Sequence, residues 1–239
     1  MSKRGLNSIQ LKYLALAFML CDHLWATVVP GHDILTHIGR IAFPIFAFQL
    51  VEGYVHTSNY DKYWKRLLIF GLISEIPFNY MMVAGPIFPF HQNVMFTLLL
   101  GLVAIHNIDL MRENFHIKYF AMVMLCALLS LVTFVDYGLM GFFTIMLFYV
   151  TRDIPYSKLF QLAGMLYLNW FGFKGEYIIF ELFGHTLEIA SQAFAVLSLI
   201  FIWLYNGEKG SDNKYVRQFA YWFYPVHMAV LYVIALIVQ

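Results

Sequence analysis

The sequence predicts an all-α integral membrane protein, a polytopic bundle of about nine transmembrane helices with the N-terminus cytoplasmic and the C-terminus extracytoplasmic. Three observations predict it. Of 239 residues, 61% are hydrophobic and 12% are charged, with a mean hydropathy of +0.69; a typical soluble domain carries about 25% charged residues. The apolar residues gather into runs near the roughly 20 residues that a crossing helix needs. With the N-terminus inside, thirteen of the fifteen Lys and Arg residues fall in inside segments, leaving Lys174 outside and Arg40 within a span, as the positive-inside rule requires. The net charge of +1 gives no ground for nucleic-acid binding. Cys21 and Cys126 lie in apolar runs and read as packing residues, not as a disulfide framework.

The first run, LKYLALAFMLCDHLWATVV (11–29), is longer than a signal-peptide core, carries Asp22 and His23, and lacks a small-residue cleavage site. It is expected to stay as a span. The second span, 34–55, holds Arg40 in its outer half and Gln49 and Glu52 on one face of its inner half. SNYDKYWKRL (58–67) mixes aromatic and basic residues and is expected to lie in the cytoplasmic interface, leading into a third span at 67–83. Pro77 should kink that span, and Glu75 and Asn79, at i and i+4, share a face. Further spans are expected at 93–107, 117–134, 138–151 and 156–172. The stretch FKGEYIIFELFGHTLEI (173–189) reads as an interfacial helix, a re-entrant segment or the start of an eighth span at 184–205. GEKGSDNK (207–214) is a polar turn before a ninth span at 217–238. Loops are short and no repeat period is present, so residues 1–239 read as a single polytopic domain.

An ionisable group at the bilayer centre costs about 2.5–3.5 kcal/mol. Asp22 and His23 nevertheless lie about 16 Å along the first span from its cytoplasmic end, and His227 sits at a similar depth in the last, at 1.5 Å per residue. Plain readings exist for each polar group. Asp22 can be a counter-ion for Arg40, Glu52 can face cytoplasmic water, Glu75 can pair with Lys65 or Arg66, and His227 can be a satisfied core histidine. His106 and His116 flank a cytoplasmic loop and read as solvated. The number of such groups points instead to a polar, water-accessible cavity. No HExxH motif or Cys/His cluster is present, so no metal is expected.

Four strings carry a resemblance. They are LKYLALAFMLCDHLW (11–25), HIGRIAFPIFAFQLVEGYVHTSNYDKYWKRLLIFGLISEIPFN (37–79), NVMFTLLLGL (93–102) and YWFYPVHMAVLYVI (221–234). The combination of DH, GR-x-AFP-x-F-x-F, EGY-x-x-T, ISE-x-P-F-N and YP-x-H resembles the TraX family, from residue 10 to 234. That family is named for the membrane protein that N-acetylates conjugative F-type pilin. Its motif falls on Asp22, His23, Gly39, Arg40, Pro44, Glu52, Thr57, Arg66, Glu75, Asn79, Asn93, Thr97, Pro225 and His227; residues 108–200 are not diagnostic. The resemblance implies a multi-pass acetyltransferase of the bacterial inner membrane. Its co-substrate would be cytoplasmic acetyl-CoA. Its acceptor would be an amine or hydroxyl of a peptide, sugar or lipid-linked molecule, with a pilin-like N-terminus among the candidates.

Acetyl transfer needs a base, an oxyanion donor and aligned substrates. His23 is the first candidate for general base, or for an acetyl carrier. Asp22 or Glu75 would orient the imidazole, and His227 is a second base or an acid for the leaving thiolate. Arg40, Asn79 or Asn93 would donate to the oxyanion, and Glu52 joins them in the substrate site. Lys62, Lys65, Arg66, Arg112, Lys118 and Arg217 would receive the coenzyme A phosphates at the cytoplasmic mouth. The lipid bilayer, the acetyl acceptor and a second copy of the chain are the expected partners. A proton-coupled transporter would place the same residue types at mid-depth, and a non-enzymatic scaffold of pilus or conjugation assembly would leave them paired and dry.

Overall fold

The computed structural model describes residues 4–172, 177–182, 185–210 and 214–238. Its helices are α1 (Ser8–Thr27), α2 (Ile34–Gly39), α3 (Ala42–Val55), α4 (Tyr60–Val83), α5 (Val94–Glu113), α6 (Ile117–Val132), α7 (Gly138–Val150), α8 (Ser157–Tyr167), α9 (Ser198–Trp203) and α10 (Lys214–Val238). Two strands, β1 (Tyr177–Leu182) and β2 (His185–Ala190), precede a 3₁₀ segment at Ser191–Leu197. Contacts divide the chain into two compact units, Met1–Phe46 with Thr151–Asn213, and Ala47–Val150 with Lys214–Gln239.

Local chemistry sets the helix boundaries. Asn7 and Gln10 form a reciprocal capping box at the start of α1, each backbone N–H donating to the other's side chain at 3.0 Å. The expected second span is interrupted at Arg40 and Ile41. Pro44 has no N–H for the Arg40 carbonyl, so the chain closes α2 and restarts as α3. Asn59 caps α4, accepting from the Lys62 N–H at 2.8 Å. The expected interfacial segment and third span are therefore one helix. Asn93 caps α5 in the same way, accepting from the Met95 N–H at 3.0 Å.

Among the described residues, four helical segments are long and apolar enough to cross a membrane: Ile34–Val55, Tyr60–Val83, Val94–Glu113 and Gln218–Val238. This corrects the expected number of crossing helices. α1 has the length but carries Lys12, Asp22 and His23, and falls outside the four. Ile117–Val132, Gly138–Val150 and Ser191–Trp203 are apolar but shorter. The expected eighth span is also corrected. Residues 177–182 and 185–190 pair as an antiparallel hairpin, with Ile179 opposite Glu188 and Tyr177 opposite Ala190. Tyr, Ile, Phe and Thr fit a pleated strand better than a helix, and apolar content alone does not separate the two. In the second unit α4 packs along α5 and α10, and α5 along α6 and α7. Large apolar side chains stay outside, including Leu72, Ile76, Leu128, Val230 and Leu236, the pattern of a lipid-facing surface. The chain is a membrane protein.

Candidate functional site

Two polar groups stand out, one in each unit. In the first unit, α1 and α2 lie against each other. The Thr36 hydroxyl donates to Asp22 Oδ1 at 2.7 Å and accepts from Arg40 Nη2 at 3.0 Å. A buried threonine thus joins the aspartate to the arginine. Gly39 permits this: a Cβ there would stand 2.3 Å from Asp22 Cβ and 2.9 Å from Asp22 Cα. His23 is half-buried and its carbonyl accepts from the Thr27 hydroxyl at 2.6 Å. His37, whose Nδ1 lies 2.9 Å from the Ser191 hydroxyl, stacks on Phe194 at 5.0 Å.

In the second unit, Glu75, Asn79 and Asn93 come together. Asn93 Nδ2 donates to Glu75 Oε2 at 2.5 Å and to the Gly71 carbonyl at 2.9 Å. The Asn93 backbone N–H points to the same carboxylate oxygen at 3.4 Å. Asn79 Nδ2 reaches Glu75 Oε1 and the Pro86 carbonyl, each at 3.4 Å. An amide nitrogen has two hydrogens, so these bonds occupy both donors of each asparagine. Their role in this geometry is to hold Glu75, and an oxyanion would have to displace it. Asn79 and Asn93 are buried, and an uncompensated carboxylate among them would be costly.

Beside this cluster lies a pair that sequence reasoning did not assemble. His91 Nε2 is 3.6 Å from Asp136 Oδ1. A short parallel bridge brings the two segments together, Gln92 N–H donating to the Phe134 carbonyl at 2.9 Å and Asp136 N–H to the Gln92 carbonyl at 2.8 Å. Thr97 donates to the Asp136 carbonyl, and Phe78 meets the His91 ring edge-on at 5.1 Å. Phe134 and Tyr137 both adopt left-handed backbone, with φ of 56° and 61°. Such positions cost on the order of 1–3 kcal/mol each, and they flank the residue whose carboxylate faces His91.

The Asp136 carboxylate raises the His91 pKa above 6.5, outweighing burial, with Glu75 adding to the field. The native state therefore prefers the protonated ring. Stability from this pair is fully present below about pH 6.5 and is lost as pH rises through the raised value. Thermal melts across that range should fall more steeply for the natural protein than for Asp136→Asn. Parallel profiles would remove the pair from the account.

The remaining expected residues are placed as follows. His227 is buried on α10; its Nδ1 donates to the Phe223 carbonyl at 2.7 Å and its ring stacks on Phe223. Because a carbonyl only accepts, Nδ1 carries a proton. Glu52 lies 3.9 Å from His56 Nδ1. Lys62, Lys65 and Arg66 are exposed on the first turns of α4, and Arg66 stacks over Tyr221 at 4.7 Å. Arg112 is 3.7 Å from Asp109 and donates to the Tyr149 hydroxyl at 3.1 Å. Lys118 lies over Tyr119 at 4.7 Å. Arg217 belongs to α10, but its side chain lies outside the described residues. His106 corrects the expectation of a solvated ring. It stacks on Tyr60 at 3.7 Å and lies 3.2 Å from the Tyr54 hydroxyl, while Tyr54 donates to Asp109 at 2.8 Å and Tyr149 donates to the same carboxylate.

Comparison with known proteins gives the relationship. A family model described as TraX protein matches residues 8–235. A protein of Dichelobacter nodosus, "Probable fimbrial assembly protein FimC, serogroup H1", is 29% identical over 238 residues, covering 94% of each chain. "Uncharacterized protein RP591" of Rickettsia prowazekii (strain Madrid E) is 41% identical over 66 residues, 28% of this chain and 25% of that protein. No solved structure matches. The family match runs through the Asp22–Thr36–Arg40 group, the Glu75–Asn79–Asn93 cluster and His227 alike, and the chain belongs to the TraX family.

Proposed function

We propose that the protein is a membrane-embedded acetyltransferase that moves acetyl from cytoplasmic acetyl-CoA to an amine or hydroxyl acceptor. Membership of the TraX family carries this reading, together with the meeting of three motif residues, Glu75, Asn79 and Asn93, in one buried cluster. The fimbrial-assembly name of the Dichelobacter relative supports a place in pilus or conjugation biology, with a pilin-like N-terminus among the acceptors.

The layout of the second unit supports donor and acceptor approaching from opposite ends. Lys62, Lys65 and Arg66 stand at the start of α4, Arg112 at the end of α5 and Lys118 at the start of α6. Adjacent helices connected this way run antiparallel, so these cations share an end, which loop charge makes cytoplasmic. They would receive the coenzyme phosphates. Glu75 lies nine to thirteen residues further along α4 than Lys62, Lys65 and Arg66, about 14–20 Å at 1.5 Å per residue, toward the other end. There a held carboxylate would anchor an ammonium acceptor. A histidine, His91 or His227, would take its proton. The nitrogen then attacks the thioester carbonyl, the carbon–sulfur bond breaks, and the thiolate leaves to be protonated.

The test is radiolabelled acetyl-CoA with purified protein in nanodiscs, following free thiol and protein-bound label. Natural protein should release thiol. His23→Ala, His91→Gln and His227→Ala should differ, the variant that loses release identifying the base. Label retained on one histidine would establish an acetyl carrier. Folded protein that neither binds acetyl-CoA nor releases thiol, with a short apolar peptide or a long-chain amine supplied as acceptor, would sink the enzyme reading.

A further inference from the structure

The ring nitrogens of His37, His56, His106, His116 and His227 that lie against a partner meet a hydroxyl or a backbone group. His91 differs. Its Nε2 faces the carboxylate of Asp136, from another segment of the chain, at 3.6 Å. Its Nδ1 makes no hydrogen bond among the described residues. A carboxylate on Nε2 favours the tautomer that carries its hydrogen there, which leaves the Nδ1 lone pair open. The carboxylate is itself held: Asp136 Oδ1 accepts from the Tyr137 backbone N–H at 3.0 Å. No lysine or arginine lies at 67–111, 119–150 or 218–238, so no such cation from these stretches competes with His91 for it.

We propose that His91 is the general base of the acetyl transfer and that Asp136 is its positioning residue. The inference rests on the acetyltransferase reading and deepens it. It selects His91 over His227 and adds Asp136. Neither His91 nor Asp136 lies in the four strings that carried the family resemblance.

The two nitrogens of His91 divide the work as a base requires. Asp136 fixes the tautomer and the ring, and stabilises the imidazolium that forms when Nδ1 takes a proton. His227 has no such arrangement at Nδ1, which donates to a carbonyl of its own helix. Location supports the same assignment. The charge of Glu75, the anchor for an acceptor ammonium, acts on His91, and Tyr224 of α10 lies in the field of both Glu75 and Asp136. Anchor and base therefore share one site. The backbone supports it too: left-handed Phe134 and Tyr137 flank the segment that presents Asp136, and strain of this kind gathers at functional sites. The proton steps balance. Nδ1 takes one proton from the anchored ammonium, freeing the amine lone pair. The nitrogen–carbon bond forms and the carbon–sulfur bond breaks. The leaving thiolate takes the second proton from the acetylated nitrogen. The His91 side chain is 35% exposed, so the ring returns its proton to water.

The test is the pH dependence of acetylated product and free thiol, with the full protein in nanodiscs, acetyl-CoA, and a short apolar peptide or a long-chain amine as acceptor. The charged and titratable groups around the pair are Asp136 from the α6–α7 connection, Glu75 from α4 and Tyr224 from α10. Only the neutral ring accepts a proton, and Asp136 raises its pKa above 6.5. The natural rate should therefore climb with pH, pass half-height above pH 6.5 and then level. His91→Gln should lower the plateau about 100-fold, the low end of what a general base contributes, and abolish the climb. Asp136→Asn should lower the plateau by a similar factor and move half-height to lower pH. Asp136→Glu, which keeps a carboxylate, should recover about tenfold over Asp136→Asn and shift half-height back. The KM for acetyl-CoA should stay within about twofold throughout, the sign of a folded protein whose donor site is intact. A natural rate that is flat from pH 6 to 8 would overturn the proposal without any variant. So would a His91→Gln protein with the natural rate, which would leave the acetyltransferase reading standing. An Asp136→Asn protein that slows without moving the half-height would reduce Asp136 to a structural residue and overturn its assigned role. Natural protein that binds acetyl-CoA and acetylates neither acceptor would remove the acetyltransferase reading, and the assignment of the base with it.

Discussion

Gly39→Ala should be strongly damaging to the first unit, lowering stability by about 3 kcal/mol or more. The new Cβ would lie 2.3 Å from Asp22 Cβ and 2.9 Å from Asp22 Cα. The second atom is backbone, so no rotamer change relieves the overlap and α1 must move away from α2. That motion stretches the 2.7 Å bond from Thr36 to Asp22, and a hydrogen bond to a charged group is worth about 1.5–3 kcal/mol. Alanine's better helix propensity returns only about 1 kcal/mol. Gly101→Ala is the control, because its Cβ would meet Ile145 Cδ1 at 2.4 Å and Cγ2 at 3.0 Å, side-chain atoms with no backbone among them. It should cost about 1–3 kcal/mol, the usual range for overpacking. Thermal unfolding in one detergent compares the two, and a Gly39→Ala protein that melts with the natural one would show that the helices do not need this approach.

Helices were legible because their signals are local. Asn7 with Gln10, Asn59 and Asn93 each announce a helix start within three residues, and apolar runs gave nearly all helix positions. Glu75 and Asn79 could be placed on one face from spacing alone. Their meeting with Asn93 is tertiary, although all three belong to the motif that carried the family resemblance. The hairpin at 177–190 was missed because a short apolar run has no length signal to separate strand from helix; the run of Tyr177, Ile178, Ile179 and Phe180 was the available clue. The meeting of His91 with Asp136 was not legible, because Asp136 lies on a connection that no periodicity describes. Tyr54, His106, Asp109 and Tyr149 come from three helices, and their meeting around one carboxylate depends on packing that spacing within each helix cannot supply. Only the pair His106 and Asp109, at i and i+3, shared a visible face.

Exchanging the partners at the Glu75–Asn93 contact should produce the largest effect in the second unit. Asn93→Asp replaces the nitrogen that donates to Glu75 at 2.5 Å with an oxygen, setting two carboxylates against each other. One must take up a proton or the helices must separate, and breaking a buried charged contact by changing one partner costs about 3–5 kcal/mol. Glu75→Gln alone should cost less, about 1.5–3 kcal/mol, since it weakens charge-assisted hydrogen bonds and leaves no unpaired charge. The double variant Glu75→Gln with Asn93→Asp restores one donor and one carboxylate across the same contact. Recovery will be incomplete, because the carboxylate introduced on α5 has no hydrogen for the Gly71 carbonyl that Asn93 now reaches at 2.9 Å. Unfolding of the four proteins gives the coupling directly. A double variant more stable than Asn93→Asp, with Glu75→Gln between it and the natural protein, is the expected order. If the two changes simply add, the contact contributes nothing beyond each residue's own surroundings, and Glu75 is held by something other than the asparagine beside it. Thiol release from acetyl-CoA by the same four proteins then separates holding from chemistry. Should the carboxylate anchor the acceptor ammonium, the double variant will recover stability without recovering transfer, because its charge has moved from α4 to the cap of α5.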